Sequence, residues 1–246
     1  MTSEVLLPPG VERGPATVRA FRFVLLNTLI ANVTTSYLWF ALTFWAYLET
    51  RSVLATSIIG GSFMLLIAVF GTVFGSVVDR HVKKNVMIGS NLVTLVTFVA
   101  AGGLFLAFPT ERLIDWNGPV FWVFVLVILV GGVVESMRNI ALSTTVTLLI
   151  PADDRDKANG LVGTVQGLAF MVTSVFSGLS IGLLGMGWTL VIAIGLTALS
   201  LGHLLTIPIP EVPPTRHESD SAGHFDVRSA LEAIRAFLNN PREMMW

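Results

Sequence analysis

Cysteine is absent from the 246 residues, which removes disulfides, thiolate nucleophiles and Cys-ligated metals. Charge is scarce too. Asp, Glu, Lys and Arg make up 13% of the chain, against about 25% in a soluble domain, and a surface that poor in charge needs lipid around it. The two signs nearly cancel, with 15 Lys and Arg against 16 Asp and Glu, so there is no basic field to attract nucleic acid. A P-loop, a His-Glu-x-x-His zinc site and a dinucleotide fingerprint are all missing. The expectation is therefore no cofactor, no metal and no enzyme.

What the chain has is apolar sequence. Ala, Val, Ile, Leu, Met, Phe, Trp and Tyr supply 53% of it, in runs near the 20 residues that cross a bilayer core as a helix. Six runs are expected as spans: 21–47, 53–78, 86–108, 120–150, 158–184 and 188–207. The first is too long for the apolar core of a signal peptide and has no clear cleavage site, so it reads as an uncleaved span. The connectors at 49–52, 79–85, 109–119, 151–157 and 185–187 hold most of the charge. This predicts an all-α polytopic membrane helix bundle over 20–207, between a polar tail (1–19) and a Pro-rich linker (208–246). In that linker Asp226 is a candidate N-cap, and Val227, Leu231, Ile234 and Leu238 form one apolar stripe. A short amphipathic helix over 225–238 follows.

Sidedness follows from Lys and Arg. Twelve fall on one side, among them Arg19, Arg22, Arg80, Lys83, Lys84, Arg155 and Lys157, and two, Arg51 and Arg112, on the other. Both termini are expected in the cytoplasm, with the protein multi-pass in the cell membrane. The first and fourth spans are the most polar and the second and fifth the richest in glycine, a pattern expected of two inverted three-helix repeats.

The loop after the second span reads Gly75-Ser-Val-Val-Asp79-Arg80-His-Val-Lys83-Lys84. It resembles the loop signature of the major facilitator superfamily: Gly, three residues, Asp, a basic residue, any residue, Gly, then two basic residues. Val82 stands where that signature has its second glycine. Pro151 with Asp153-Asp154-Arg155 and Ala158-Asn159-Gly160 is similar to the drug-exporting, macrolide-efflux-like branch. The resemblance reaches the N-terminal six-helix half of a twelve-helix family. It implies a small-molecule substrate and a second six-helix half or another subunit as partner. It also implies a cytoplasmic gate of Gly75, Asp79, Arg80, Lys83 and Lys84.

Glu135 and Arg138 are the sharpest single feature. Each costs roughly 2.5–3.5 kcal/mol at a bilayer centre on insertion scales, yet both sit mid-span at i and i+3, where they share a helix face. Asn139 and Ser143 extend the stripe. The resemblance implies that Arg138 belongs to a translocation path or proton relay; the pairing itself makes Glu135 the expected group that takes up and releases the proton. The plainer reading is a static bridge that orients the helix.

Two uncharged stripes suit an amphipathic ligand. One is Asn32, Thr35, Ser36, Trp39 and Thr43 in the first span; the other is Gln166, Phe170, Thr173 and Ser177 in the fifth. Ser and Thr also bond back to their own helix, which keeps a packing role open. Gly160, Gly163, Gly167, Gly178 and Gly182 in the fifth span, with Gly61, Gly71 and Gly75 in the second, are expected to pack helices together. The functional expectation is half of a secondary transporter, exporting a small amphipathic compound by proton-coupled alternating access. The rival classes are a membrane scaffold and an intramembrane hydrolase using Ser62 with His203.

Overall fold

The computed structural model of the protein describes residues 15–209; the expected helix at 225–238 lies outside the described residues. The elements are α1 (Pro15–Thr50), α2 (Val53–Arg80), α3 (Lys83–Ala107), a short α4 (Thr110–Ile114), α5 (Pro119–Leu149) and α6 (Arg155–Thr206). No strand occurs among the described residues.

Five helices are long and apolar enough to cross a membrane, and one of them crosses twice. At 52 residues, a straight α6 would run about 78 Å, more than twice a bilayer core. Gly185 breaks it with φ 77° and ψ 174°, a backbone region that is essentially glycine-only. Ser180 Oγ and Thr189 Oγ1, nine positions apart, lie 3.0 Å from each other, where a straight helix would set them about 13.5 Å apart. The two limbs, 155–184 and 186–206, therefore fold back on each other and the bundle makes six passes. Thr189 donates to Gly185 O at 2.8 Å, so in its contact with Ser180 it accepts. Ser180 in turn accepts from Tyr37 on α1 at 2.5 Å. A run of hydroxyls thus pins the turn to α1.

The connectors are shorter than expected. α2 reaches Arg80 and α3 begins at Lys83, leaving His81 and Val82 between them. α1 starts at Pro15, inside the expected polar tail, because proline is at home in the first turn of a helix. Ser52 starts α2 by accepting from Ala55 N at 3.1 Å, the usual N-cap bond.

At one end of the bundle, Lys84 on α3 meets Ile207. At the other, a Cβ on Gly187 would lie 3.0 Å from the Phe105 ring. α3 and the second limb are thus antiparallel. α1 runs parallel to the first limb, with Phe21 and Leu25 near Ala158 and Val162 and Phe44 against Gly178. Trp45 stacks on Phe121 at 6.1 Å in a core that takes in Leu113 of α4. A second core at the Lys84 end joins Val24, Met87, Leu142 and Leu204. Leu, Val and Phe dominate the exposed large hydrophobic side chains, which suits lipid.

The glycine expectation holds at one place: Gly178, on the same face of the fifth span, packs against Phe44 of α1. A Cβ on Gly61, Gly75, Gly160, Gly163, Gly167 or Gly182 would meet nothing within 4 Å, so at these positions the faces are open inside the described bundle. The tightest glycine is Gly131 on α5, against Thr97 and Phe98, and its neighbour Gly132 and Gly187 of the second limb lie close to the rings of Phe63 and Phe105.

Candidate functional site

Glu135 lies at the midpoint of α5, and its side chain and that of Arg138 are 5% and 1% exposed. Glu135 Oε1 is 3.5 Å from Arg138 Nε, close enough to pair but outside hydrogen-bond geometry. Oε1, and the Nε and Nη1 of Arg138, make no hydrogen bond. Other helices supply the bonds the pair does make. Thr94 on α3 has one hydroxyl proton, shared between Gly131 O at 2.9 Å and Glu135 Oε2 at 3.4 Å. Arg138 Nη2 donates to Asn27 Oδ1 on α1. Buried polar atoms are normally satisfied, so a pair held this loosely is an exception that calls for an explanation.

Asn27 extends the network to α6. Its Nδ2 donates to Ser200 O at 2.7 Å and lies 3.2 Å from His203 Nδ1. Asn91 on α3 donates to Ser200 Oγ at 3.0 Å. Asn27, Asn91 and Ser200 are all at most 1% exposed, so α1, α3, α5 and the second limb meet through polar groups in an otherwise apolar interior. Sequence reading singled out Glu135 and Arg138 and missed Asn27, Thr94, Asn91 and Ser200. The available signal was an amide inside each of two apolar runs.

The ligand stripes divide. An aromatic ladder crosses three helices: Phe63 and Trp39 have centroids 5.8 Å apart, Trp39 and Phe40 5.0 Å, and Phe40 and Phe170 4.8 Å. Thr35 flanks it, near Gly132. Asn32 and Ser36 are half-buried on α1, and Gln166 Nε2 reaches Asn139 Oδ1 at 3.5 Å. Asn32 Nδ2 and Trp39 Nε1 are buried donors with no bonding partner. Thr173 does not join this group. It is 2% exposed, bonds to Ala169 O and Phe170 O of its own helix, and borders a separate groove of about 400 Å³ with Tyr37, Phe176 and Ile192. Ser177 likewise is buried and donates to Tyr37 O at 2.9 Å, fixing the first limb to α1.

The motif residues sit at the Lys84 end, where α2, α5 and the second limb all finish. Helix C-termini present unpaired carbonyls and favour cations. Lys84 Nζ donates to Ile207 O at 2.7 Å and Leu205 O at 3.4 Å, and Arg155 donates to Thr147 O at 3.0 Å and Ile150 O at 3.3 Å. Arg80 closes the last turn of α2. Lys83 is 4% exposed and donates to His81 O at 3.3 Å. The basic pair therefore makes contacts to backbone carbonyls within the protein. Asp79 is exposed and a Cβ on Gly75 would meet nothing. Ser62 borders a groove between α2 and α5 with Trp122 and Leu126, and His203 bonds near the other end of the bundle, so no serine–histidine pair forms.

A bundle of six apolar passes defines a polytopic membrane protein. The family model described as Major Facilitator Superfamily matches residues 24–246, most of the chain. The chain belongs to the major facilitator superfamily, a class of transporters and not of enzymes. It is similar to the Macrolide efflux protein A of Streptococcus pyogenes, 28% identical over 153 residues, or 61% of this chain and 35% of that protein. The protein of the same name in Enterococcus faecalis is 31% identical over 130 residues, 52% of this chain and 36% of that one. The matched stretch thus spans about a third of these relatives' length.

Proposed function

We propose that the chain forms a six-helix half of a proton-coupled secondary transporter that exports a small amphipathic compound by alternating access. The observation that carries this is the Glu135–Arg138 pair, buried, incompletely bonded and shared among α1, α3 and α5. A helix that needs only stability does as well or better with apolar residues there. Glu135 carries the proton and Arg138 answers its change of charge. The substrate rests on Asn32, Thr35, Ser36, Trp39, Asn139, Gln166 and Phe170, and the unpartnered donors of Asn32 and Trp39 suit acceptor oxygens on it. The relatives' names make a macrolide the first compound to try.

The open glycine faces of α2 and the first limb suit a second six-helix unit, since small residues let helices approach and slide. The Lys84 end faces the cytoplasm of the cell, with Gly75, Asp79, Arg80, Lys83 and Lys84 as the latch that opens and closes there.

The test uses membrane vesicles carrying the transporter and a radiolabelled macrolide. Glu135→Gln keeps the size and hydrogen bonding of the side chain but cannot titrate. It is expected to abolish accumulation driven by a proton gradient while sparing binding and downhill exchange. A static bridge gives a different result. Removing one partner then strands a buried charge at a cost of about 3–5 kcal/mol in soluble proteins, protein levels fall, and Arg138→Met in the same background restores them. A well-folded Glu135→Gln protein that still accumulates the compound against its gradient ends the proton-carrier role.

A further inference from the structure

Asn27 is held from both sides by groups with no choice of role. Arg138 has only donors, so the Asn27 atom it meets must be the oxygen. The Ser200 carbonyl only accepts, so the atom it meets at 2.7 Å must be the amide nitrogen. The orientation of the amide follows, and its second N–H is the one aimed at His203 Nδ1, 3.2 Å away. That bond exists only if Nδ1 has a free lone pair, which means a neutral ring with its proton on Nε2.

A second proton cannot be added to this ring without loss. It would sit on Nδ1 and point at the Asn27 N–H. If the ring moves off, Asn27 keeps Arg138 but loses a partner; if the amide turns over to accept from the ring, its nitrogen faces the donor Nη2. Nη2 would then have no acceptor on Asn27, and Nε and Nη1 already make no hydrogen bond, leaving Glu135 alone to hold the guanidinium. His203 is also the one member of the chain His203–Asn27–Arg138–Glu135 that is not fully buried.

We infer that His203 is a positioning residue for the buried pair: its neutral form locks Arg138 in place through Asn27, and its protonation at the Lys84 end loosens that lock. The charged groups on the elements packed there are Arg19 and Arg22 on α1, Lys83 and Lys84 on α3, with Lys83 Nζ bonded to His81 O and Lys84 Nζ to Leu205 O and Ile207 O, and Arg138 with Glu135 on α5. Phe23 of α1 packs edge-on against the ring, with centroids 6.5 Å apart. The lock stands on these hydrogen bonds; its use in transport rests on the proposed role of Glu135.

Two measurements on the purified full chain in detergent test it, and neither needs a substrate. In the first, ¹⁵N-histidine spectra at pH 8 are compared with those of His203→Asn, which assigns the His203 signal among the four histidines. The expected form is neutral with the proton on Nε2; a neutral ring protonated on Nδ1 overturns the inference. In the second, melting temperature is followed between pH 8 and pH 5, the range in which histidine changes charge. Asparagine places a carbonyl oxygen where Nδ1 stands and cannot be charged. Wild type should lose about 3–12 °C more than His203→Asn over this range, the effect of one hydrogen bond to a charged group. Equal losses in the two proteins overturn the lock, and do so whether or not Glu135→Gln transports.

Discussion

A methyl group on Gly131 tests how closely α3 and α5 are pressed together. It would overlap Thr97 Oγ1 and lie 2.8 Å from Phe98 Cε1, where carbon atoms prefer about 3.5–4.0 Å. Phe98 is 1% exposed and has no room to swing aside, so the helices must separate. Overpacking of this kind costs typically 1–3 kcal/mol. Separation also stretches the 2.9 Å bond from Thr94 to Gly131 O, worth about 1 kcal/mol. The expected loss for Gly131→Ala is therefore about 3 kcal/mol, or on the order of 10 °C in melting temperature for a chain of this size. The assay is the surviving monomer peak on size exclusion after heating in detergent. Gly103→Ala on α3, where a Cβ would meet nothing within 4 Å, is the control and should stay within about 2 °C of wild type. Thr97→Ala removes the atom the new methyl would overlap and should recover part of the loss. A Gly131→Ala protein that melts with wild type would refute the close approach of α3 and α5.

Gly185→Ala should cost about 1–3 kcal/mol by backbone strain alone, because φ is 77° and no neighbouring atom blocks a Cβ; a melting temperature equal to wild type would mean the turn does not need this conformation. Arg51 also has positive φ, 52°, where glycine is unstrained, so Arg51→Gly should leave the melting temperature unchanged or raise it, and a clear drop would show that the arginine side chain does something the backbone does not require. Reporters fused after residue 83 and after residue 112 should lie on opposite sides of the membrane, the first in the cytoplasm, and both on one side would break the six-pass path.

The six passes were legible because apolar runs of bilayer length are a composition signal that needs no tertiary information. The buried pair was legible for the same reason, since charge stands out in an apolar run. Its partners were not. Thr94 and Ser200 look like any hydroxyl that bonds to its own helix, and which of them turns inward depends on helix rotation, a property of packing. The glycines mislead likewise. A stripe of small residues marks a face that can be approached closely, and only the folded bundle tells whether a neighbour takes it. Gly160 and Gly163 have none, whereas Gly131, in a run of valines and leucines, is the tightest contact of all. Connector lengths were overestimated because Asp79, Lys83 and Lys84 read as loop by their charge, though each is at a helix end where charge serves carbonyls and water equally well.

The turn at Gly185 also bears on how the protein is made. Residues 155–206 carry no charged side chain between Lys157 and His203, and the reversal is accomplished within a residue or two of glycine-permitted backbone. Such a segment offers the insertion machinery no polar loop to pass across the bilayer ahead of the second limb. It would enter as a preformed helical hairpin, both passes together, with Tyr37 of the already inserted α1 waiting to receive Ser180 and set its depth.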